Sequence, residues 1–137
     1  MPNKNRARLR LFVWYWLPAY LYMGLIYSLS AQSEPSVPSI LLLNDKITHF
    51  LEYALLGLLL IRALKKEYFR FNPTALKFIA LLIAALYGAS DELHQGFTIG
   101  RNADFSDWLV DFCGSAFGSF CAYNKFRPWE AKKASNT

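Results

Sequence analysis

Charge is scarce in this chain. Only 18% of its 137 residues are charged, against about a quarter in ordinary soluble domains. Apolar residues make up 54% and aromatics 17%. One domain of this length has too little interior to bury so many apolar side chains, a difficulty that lipid removes. Cysteine is nearly absent too. Cys113 and Cys121 lie about 12 Å apart along one expected helix at 1.5 Å per residue, too far to bond to each other. They are expected as small packing residues. The lack of any Cys-x-x-Cys pair removes the common zinc spacings. No internal repeat, low-complexity run or known nucleophile motif is present. The net charge is +5, but the basic residues form short clusters rather than one stripe, so no nucleic-acid partner is expected.

What the chain does have is long apolar segments, at roughly 11–29, 47–64, 75–93 and 105–123. Each is close to the roughly 20 residues that span a hydrocarbon core. Lipid requires every backbone polar group to be paired within the protein, so these segments should be helices. The expectation is one domain over residues 1–137, an all-α membrane protein built as a four-transmembrane-helix bundle. The first segment exceeds the 7–15 apolar residues of a cleavable signal peptide and is rich in Trp and Tyr, so it is expected to stay as a helix. Pro18 should kink that helix or mark a packing contact.

Charge orients the bundle. Basic residues precede the first segment (Lys4, Arg6, Arg8, Arg10), flank the second connection (Arg62, Lys65, Lys66, Arg70, Lys77) and follow the fourth segment (Lys125, Arg127, Lys132, Lys133). Of the 15 basic residues only Lys46 and Arg101 fall on the other side, and of the 10 acidic residues only Glu67 and Glu130 share the basic side. The positive-inside rule then places both termini in the cytoplasm and the acidic end outside. The connection over 30–46, with Pro35 and Pro38, is a loop whose apolar stretch 40–43 can dip into the interface, and the tail after Arg127 should be flexible.

The acidic end carries the candidate site. Asp45, His49 and Glu52 stand at i, i+4 and i+7, one helical face. An unpaired carboxylate at the depth of Glu52 would cost roughly 2.5–3.5 kcal/mol. Tyr87, Asp91 and His94 repeat the same spacing, with Gln95 four residues beyond Asp91 and Glu92 turned about 100° away toward a neighbouring helix. Asp104, Asp107, Asp111, Gly114 and Gly118 share a face that passes from acidic to glycine. The Gly114-x-x-x-Gly118 seam should draw its helix close to another and set Asp107 and Asp111 beside the other polar stripes. Asp104 and Asp107 also suit the start of a helix. Arg101 can pair with a carboxylate or hold an anionic ligand. The order His-Glu-x-x-His is absent, so no zinc-protease motif is read and no metal-ligand set is assigned.

These residues resemble the VanZ-like family of small integral membrane proteins. The segment Asp45-Lys46-Ile47-Thr48-His49-Phe50-Leu51-Glu52-Tyr53-Ala54-Leu55-Leu56-Gly57 looks like its DKxxHxxxYxxLG element. Ser90-Asp91-Glu92-Leu93-His94-Gln95-Gly96-Phe97 looks like its SDExxQxF element, and Arg101 with Asp107 looks like its RxxxxxD segment. Asp111 stands where asparagine is often expected. The resemblance implies a multi-pass protein of the bacterial cytoplasmic membrane with a cell-envelope role. It also implies a link to the glycopeptide antibiotic teicoplanin, through the family's namesake.

Two classes of function fit. In the first, the protein acts on or binds an envelope lipid or its phosphate headgroup. His49, Glu52, Asp91, Glu92 and His94 would be the candidate acids and bases, and Asp45, Lys46, Gln95, Arg101, Asp107 and Asp111 the ligand-binding groups. A divalent cation is a cofactor that carboxylates with histidines can take. In the second, a non-catalytic module binds lipid, glycopeptide or a partner membrane protein, and the polar cluster is structural. A proton-coupled transporter is weaker, since four helices leave little room for alternating access.

Overall fold

The computed structural model describes residues 4–31, 42–99 and 103–123. Helix α1 spans Lys4–Ser30, α2 Leu42–Glu67, α3 Pro73–Gln95 and α4 Phe105–Tyr123. No strand occurs among the described residues. The first three helices run past their apolar segments into charged residues, because helical hydrogen bonding continues wherever nothing breaks it. Among the described residues, three spans are long and apolar enough to cross a membrane: Lys4–Ser30, Asp45–Glu67 and Pro73–Gln95. α4, with Asp107, Asp111 and several Gly and Ser residues, is a fourth helix of 19 residues and is not among those three. Most of the 30–46 connection, Arg101 and the tail after Tyr123 lie outside the described residues.

Local chemistry sets the boundaries. Asn72 caps α3, its side chain accepting from the N–H groups of Thr74 at 2.8 Å and Ala75 at 3.4 Å. Pro73 follows at the first helical position, where a missing N–H costs nothing. In α1 the residues Phe12–Trp16 form a π-helical turn, with the Leu17 N–H reaching back to the Phe12 carbonyl. Pro18 has no N–H, and its ring crowds the carbonyl of the preceding turn. The wider turn just before it supplies the room, so the expected irregularity takes the form of a π-turn.

α2 is the centre of the bundle and packs most extensively on α4. A Cβ added to Gly114 would overlap the Phe50 carbonyl, one on Gly118 the Ala54 carbonyl, and one on Gly57 the Ser115 carbonyl. The seam expected from Gly114 and Gly118 therefore lies against α2, and Gly57 extends it from the other side. Ser119 Oγ donates across it to the Gly57 carbonyl at 3.3 Å. In lipid there is no hydrophobic drive between helices, so such close backbone approach, with its dispersion and hydrogen bonds, holds the pair.

The core gathers Tyr53, Leu56, Leu60, Ile61 and Leu64 of α2 with Leu76, Ala80 and Ala84 of α3, and Ala19 and Ile26 of α1 reach it. Many large apolar side chains point outward instead, among them Trp14, Leu51, Leu82, Leu86 and Phe117. An outside this apolar suits lipid far better than water. Cys113 and Cys121 are also exposed. The expectation that they pack inside is corrected: they stand off the Gly114/Gly118 face that meets α2.

The ends of the bundle differ. At one, Trp16 Nε1 donates to Glu67, Arg62 lies 4.7 Å from the centre of the Tyr15 ring, and Lys65 bonds the Tyr123 carbonyl at 2.6 Å. The other end holds the acidic and histidine residues.

Candidate functional site

The site forms where the first turns of α2 and α4 meet the last turns of α3. From α2, His49 sits 7% exposed. Its Nδ1 lies 3.0 Å from Asp111 Oδ1 on α4, and its Nε2 lies 3.9 Å from Asp45 Oδ1, one turn back on α2. Lys46 Nζ reaches Asp107 and bonds Ser106 Oγ at 2.6 Å. From α3, Glu92 Oε2 accepts the Asp104 N–H at 2.9 Å and so ties the end of α3 to the start of α4.

Small residues make this convergence sterically feasible. A Cβ at Gly88 would stand 3.2 Å from a Tyr53 ring carbon and 3.3 Å from Asp111 Oδ2. Both side chains pack close to the α3 backbone because Gly88 has none. Trp108 Nε1 donates to the Ala85 carbonyl at 3.0 Å and fixes α4 against α3.

Among the described residues, two groups of donor atoms result. One ligand atom each from His49, Glu92 and Asp111 lie within 4.8 Å of one another, all on buried residues; Asp45, His49 and Asp107 form a second such group nearer the rim. Buried oxygens without a hydrogen-bond partner accompany them: Tyr53 Oη, Asp91 Oδ1, Glu92 Oε1 and Asp111 Oδ2.

The third-helix stripe divides. Glu92 joins His49 and Asp111, Asp91 is buried within electrostatic reach of Asp111 and Glu52, and His94 turns toward α1. There His94 stacks on Tyr27 with ring centres 4.4 Å apart. Tyr27, Tyr87, Ser90, Asp91, His94 and Phe97 line a groove of about 360 Å³. Gln95 Nε2 donates to Asp91 Oδ2 at 3.1 Å, and Tyr87 Oη donates to the Met23 carbonyl. Glu52 is half-buried, within electrostatic reach of His49, Asp91 and Asp111. His94 is therefore the candidate that stands apart, and Arg101 lies outside the described residues.

Asp104 is the α4 cap. Its Oδ1 accepts the Ser106 N–H at 2.8 Å. Hydrogen bonds from the Ser106 N–H and hydroxyl, with Lys46 nearby, hold its carboxyl below the usual 3.8. The lowered value means that the ionised cap contributes at any pH above the unfolded-state value. The contribution fades as pH falls through the lower folded-state value.

A family model described as VanZ/LLP1 matches residues 3–126. The chain belongs to the VanZ/LLP1 family. No curated protein and no solved structure matches it. Membership agrees with three membrane-length apolar helices, and the VanZ/LLP1 chain is accordingly a membrane protein. Sequence reasoning on this VanZ/LLP1 protein did not single out Gly88, Ser106 or Tyr27 as site residues. Gly88 and Ser106 carry no periodic signal of their own. Tyr27 was one of many tyrosines in α1, and only the tertiary contact with His94 distinguishes it.

What the arrangement can do follows from its parts. Asp111 on Nδ1 fixes the ring of His49, as a carboxylate fixes a catalytic histidine, and so sets which nitrogen carries the proton. Glu92 and Asp111 each keep one buried oxygen free to accept a hydrogen bond or a metal ion. A basic imidazole beside two carboxylates can move a proton or coordinate a cation.

Proposed function

We propose that this VanZ/LLP1 protein crosses the bacterial cytoplasmic membrane four times with both termini inside, and that its acidic–histidine site binds or acts on the phosphate headgroup of an envelope lipid from the outer face. One observation carries the reading. Three helices bring His49, Glu92 and Asp111 within 4.8 Å at the end of the bundle opposite the basic clusters. Ionisable groups so placed at a membrane boundary mark ligand or ion paths by default. α4, at 19 residues, is about 28 Å long at 1.5 Å per residue, enough for a thin or tilted crossing. Lys46 at the rim, with Arg101 in the connection to α4, supplies positive charge for a phosphate. His49 with Asp111 supplies the acid–base pair should the headgroup react. A change in an exposed envelope lipid is also the route by which such a protein would alter teicoplanin susceptibility.

A second reading keeps the membrane placement and makes the cluster structural within a module that binds lipid, glycopeptide or a partner protein. Its support is that the polar groups hold one another: His49 with Asp111, Lys46 with Asp107, Glu92 with the Asp104 N–H.

Lipid binding separates the two. The protein in nanodiscs of phosphatidylcholine with a minor fraction of phosphatidic acid is expected to retain phosphatidic acid selectively on extraction, as read by mass spectrometry. His49→Ala and Lys46→Gln should remove that selectivity while the protein remains monodisperse. Variants that lose thermal stability but keep full selectivity would favour the structural reading, and a wild type with no selectivity would end the headgroup proposal.

A further inference from the structure

Charge balance at the centre of the site is unusual. Glu92 is 7% exposed and Asp111 1% exposed, and each has an oxygen with no hydrogen-bond partner, Glu92 Oε1 and Asp111 Oδ2. Among the described residues Lys46 is the one fixed cation at this end, and Asp107 with Ser106 already engages it. A protonated His49 can offset only one of the two buried carboxylates, so at a membrane boundary the other still needs a compensating positive charge.

We infer that His49, Glu92 and Asp111 form the binding site of one divalent first-row transition-metal ion. The three ligand atoms lie within 4.8 Å of one another. Bonds of about 2.0–2.2 Å to a tetrahedral ion would set such atoms about 3.3–3.6 Å apart. The His49 to Asp111 distance of 3.0 Å is slightly below that, so this pair opens by a few tenths of an ångström while the group as a whole, within 4.8 Å, closes around the ion. His49 turns Nδ1 toward Asp111 and Nε2 toward Asp45 Oδ1, 3.9 Å away. With the ion on Nδ1 the imidazole proton sits on Nε2, facing Asp45 Oδ1 at 3.9 Å, which a small shift of the Asp45 side chain would bring into hydrogen-bond range. A carboxylate behind a ligating histidine is the usual support of a metal site. One nitrogen with two carboxylates suits Zn²⁺ or Mn²⁺ better than Mg²⁺ or Ca²⁺, which prefer all-oxygen shells. The three ligands leave a coordination position for an outside oxygen. This deepens the headgroup reading and rests on it for that oxygen's identity, because a bound cation lets a strongly acidic pocket receive a phosphate.

The test is titration of the full chain in detergent, stripped of metal with a chelator and free of phospholipid, with Zn²⁺ and then Mn²⁺, by calorimetry. One saturable ion per chain is expected. Glu92→Gln and Asp111→Asn should each weaken binding by more than about 100-fold and Asp45→Asn by about 10-fold, the range seen when a supporting carboxylate is lost. Glu67→Gln, at the opposite end of the bundle where it accepts from Trp16, should stay near wild type. Wild type without saturable binding overturns the inference, as do Glu92→Gln and His49→Gln variants that bind like wild type. Should Asp111→Asn not fold, those two and the metal-dependent rise in melting temperature of wild type decide the matter. Phosphatidic acid in nanodiscs with and without chelator separates the two proposals. Metal binding without phosphatidic acid selectivity leaves the metal site standing and removes the headgroup reading. Selectivity that survives the chelator, with no metal bound in the titration, does the reverse.

Discussion

At the scale of single residues, two histidines with similar sequence surroundings have different fates. Both follow an aspartate at short helical spacing. His49 is anchored by Asp111 across the α2–α4 contact, whereas His94 stacks on Tyr27. Removing one partner of a buried ionic pair strands the other. Asp111→Ala is therefore expected to lower stability by about 3–5 kcal/mol, and His94→Ala by about 0.5–1.5 kcal/mol, the scale of one ring contact. Melting temperatures in one detergent give the order; equal losses would contradict the difference in roles. Helical spacing alone made both histidines candidates. It contains no information on which neighbour each ring meets, so the split between them was not legible before the packing was known.

At the scale of elements, the α2–α4 pair is held by backbone proximity rather than by large side chains. Gly118 faces the Ala54 carbonyl with no room for a methyl, while Gly24 in α1 has nothing within 4 Å of its absent Cβ. Gly118→Ala must push the helices apart, and a loss of about 1–3 kcal/mol is expected from overpacking. Gly24→Ala should be neutral or stabilise by up to about 1 kcal/mol through helix propensity. Reversible unfolding in mixed micelles measures both. A Gly118→Ala protein as stable as wild type would mean that the helices do not approach this closely. The glycine seam was visible in the sequence as Gly114-x-x-x-Gly118. Its partner face was not, because Gly57 stands alone in its helix and acquires meaning only opposite Ser115 and Ser119.

At the scale of the whole molecule, the two ends carry opposite chemistry, with Lys65 bonded to the Tyr123 carbonyl at one and Lys46 among aspartates at the other. The positive-inside rule turns that asymmetry into an orientation. A green fluorescent protein fused after residue 137 should fluoresce. Alkaline phosphatase inserted in the 32–41 connection should be active, as only an exported phosphatase is. A dark carboxy-terminal fusion with an inactive insertion would reverse the topology and move the acidic site to the cytoplasmic side.

Composition and order by themselves determined the class: too many apolar residues for a chain this short, in helix-length segments, with acid and base sorted to opposite flanks. Period and spacing also put Asp45, His49, Asp107 and Asp111 on helix faces able to meet. Tertiary structure decided the rest. It turned Glu92 inward and His94 away, gave Gly88 and Gly57 their purpose, and left Cys113 and Cys121 outside. The physical reason is that a helix's own geometry sets which side chains share a face, whereas the neighbour to which that face turns depends on contacts between segments far apart in the chain.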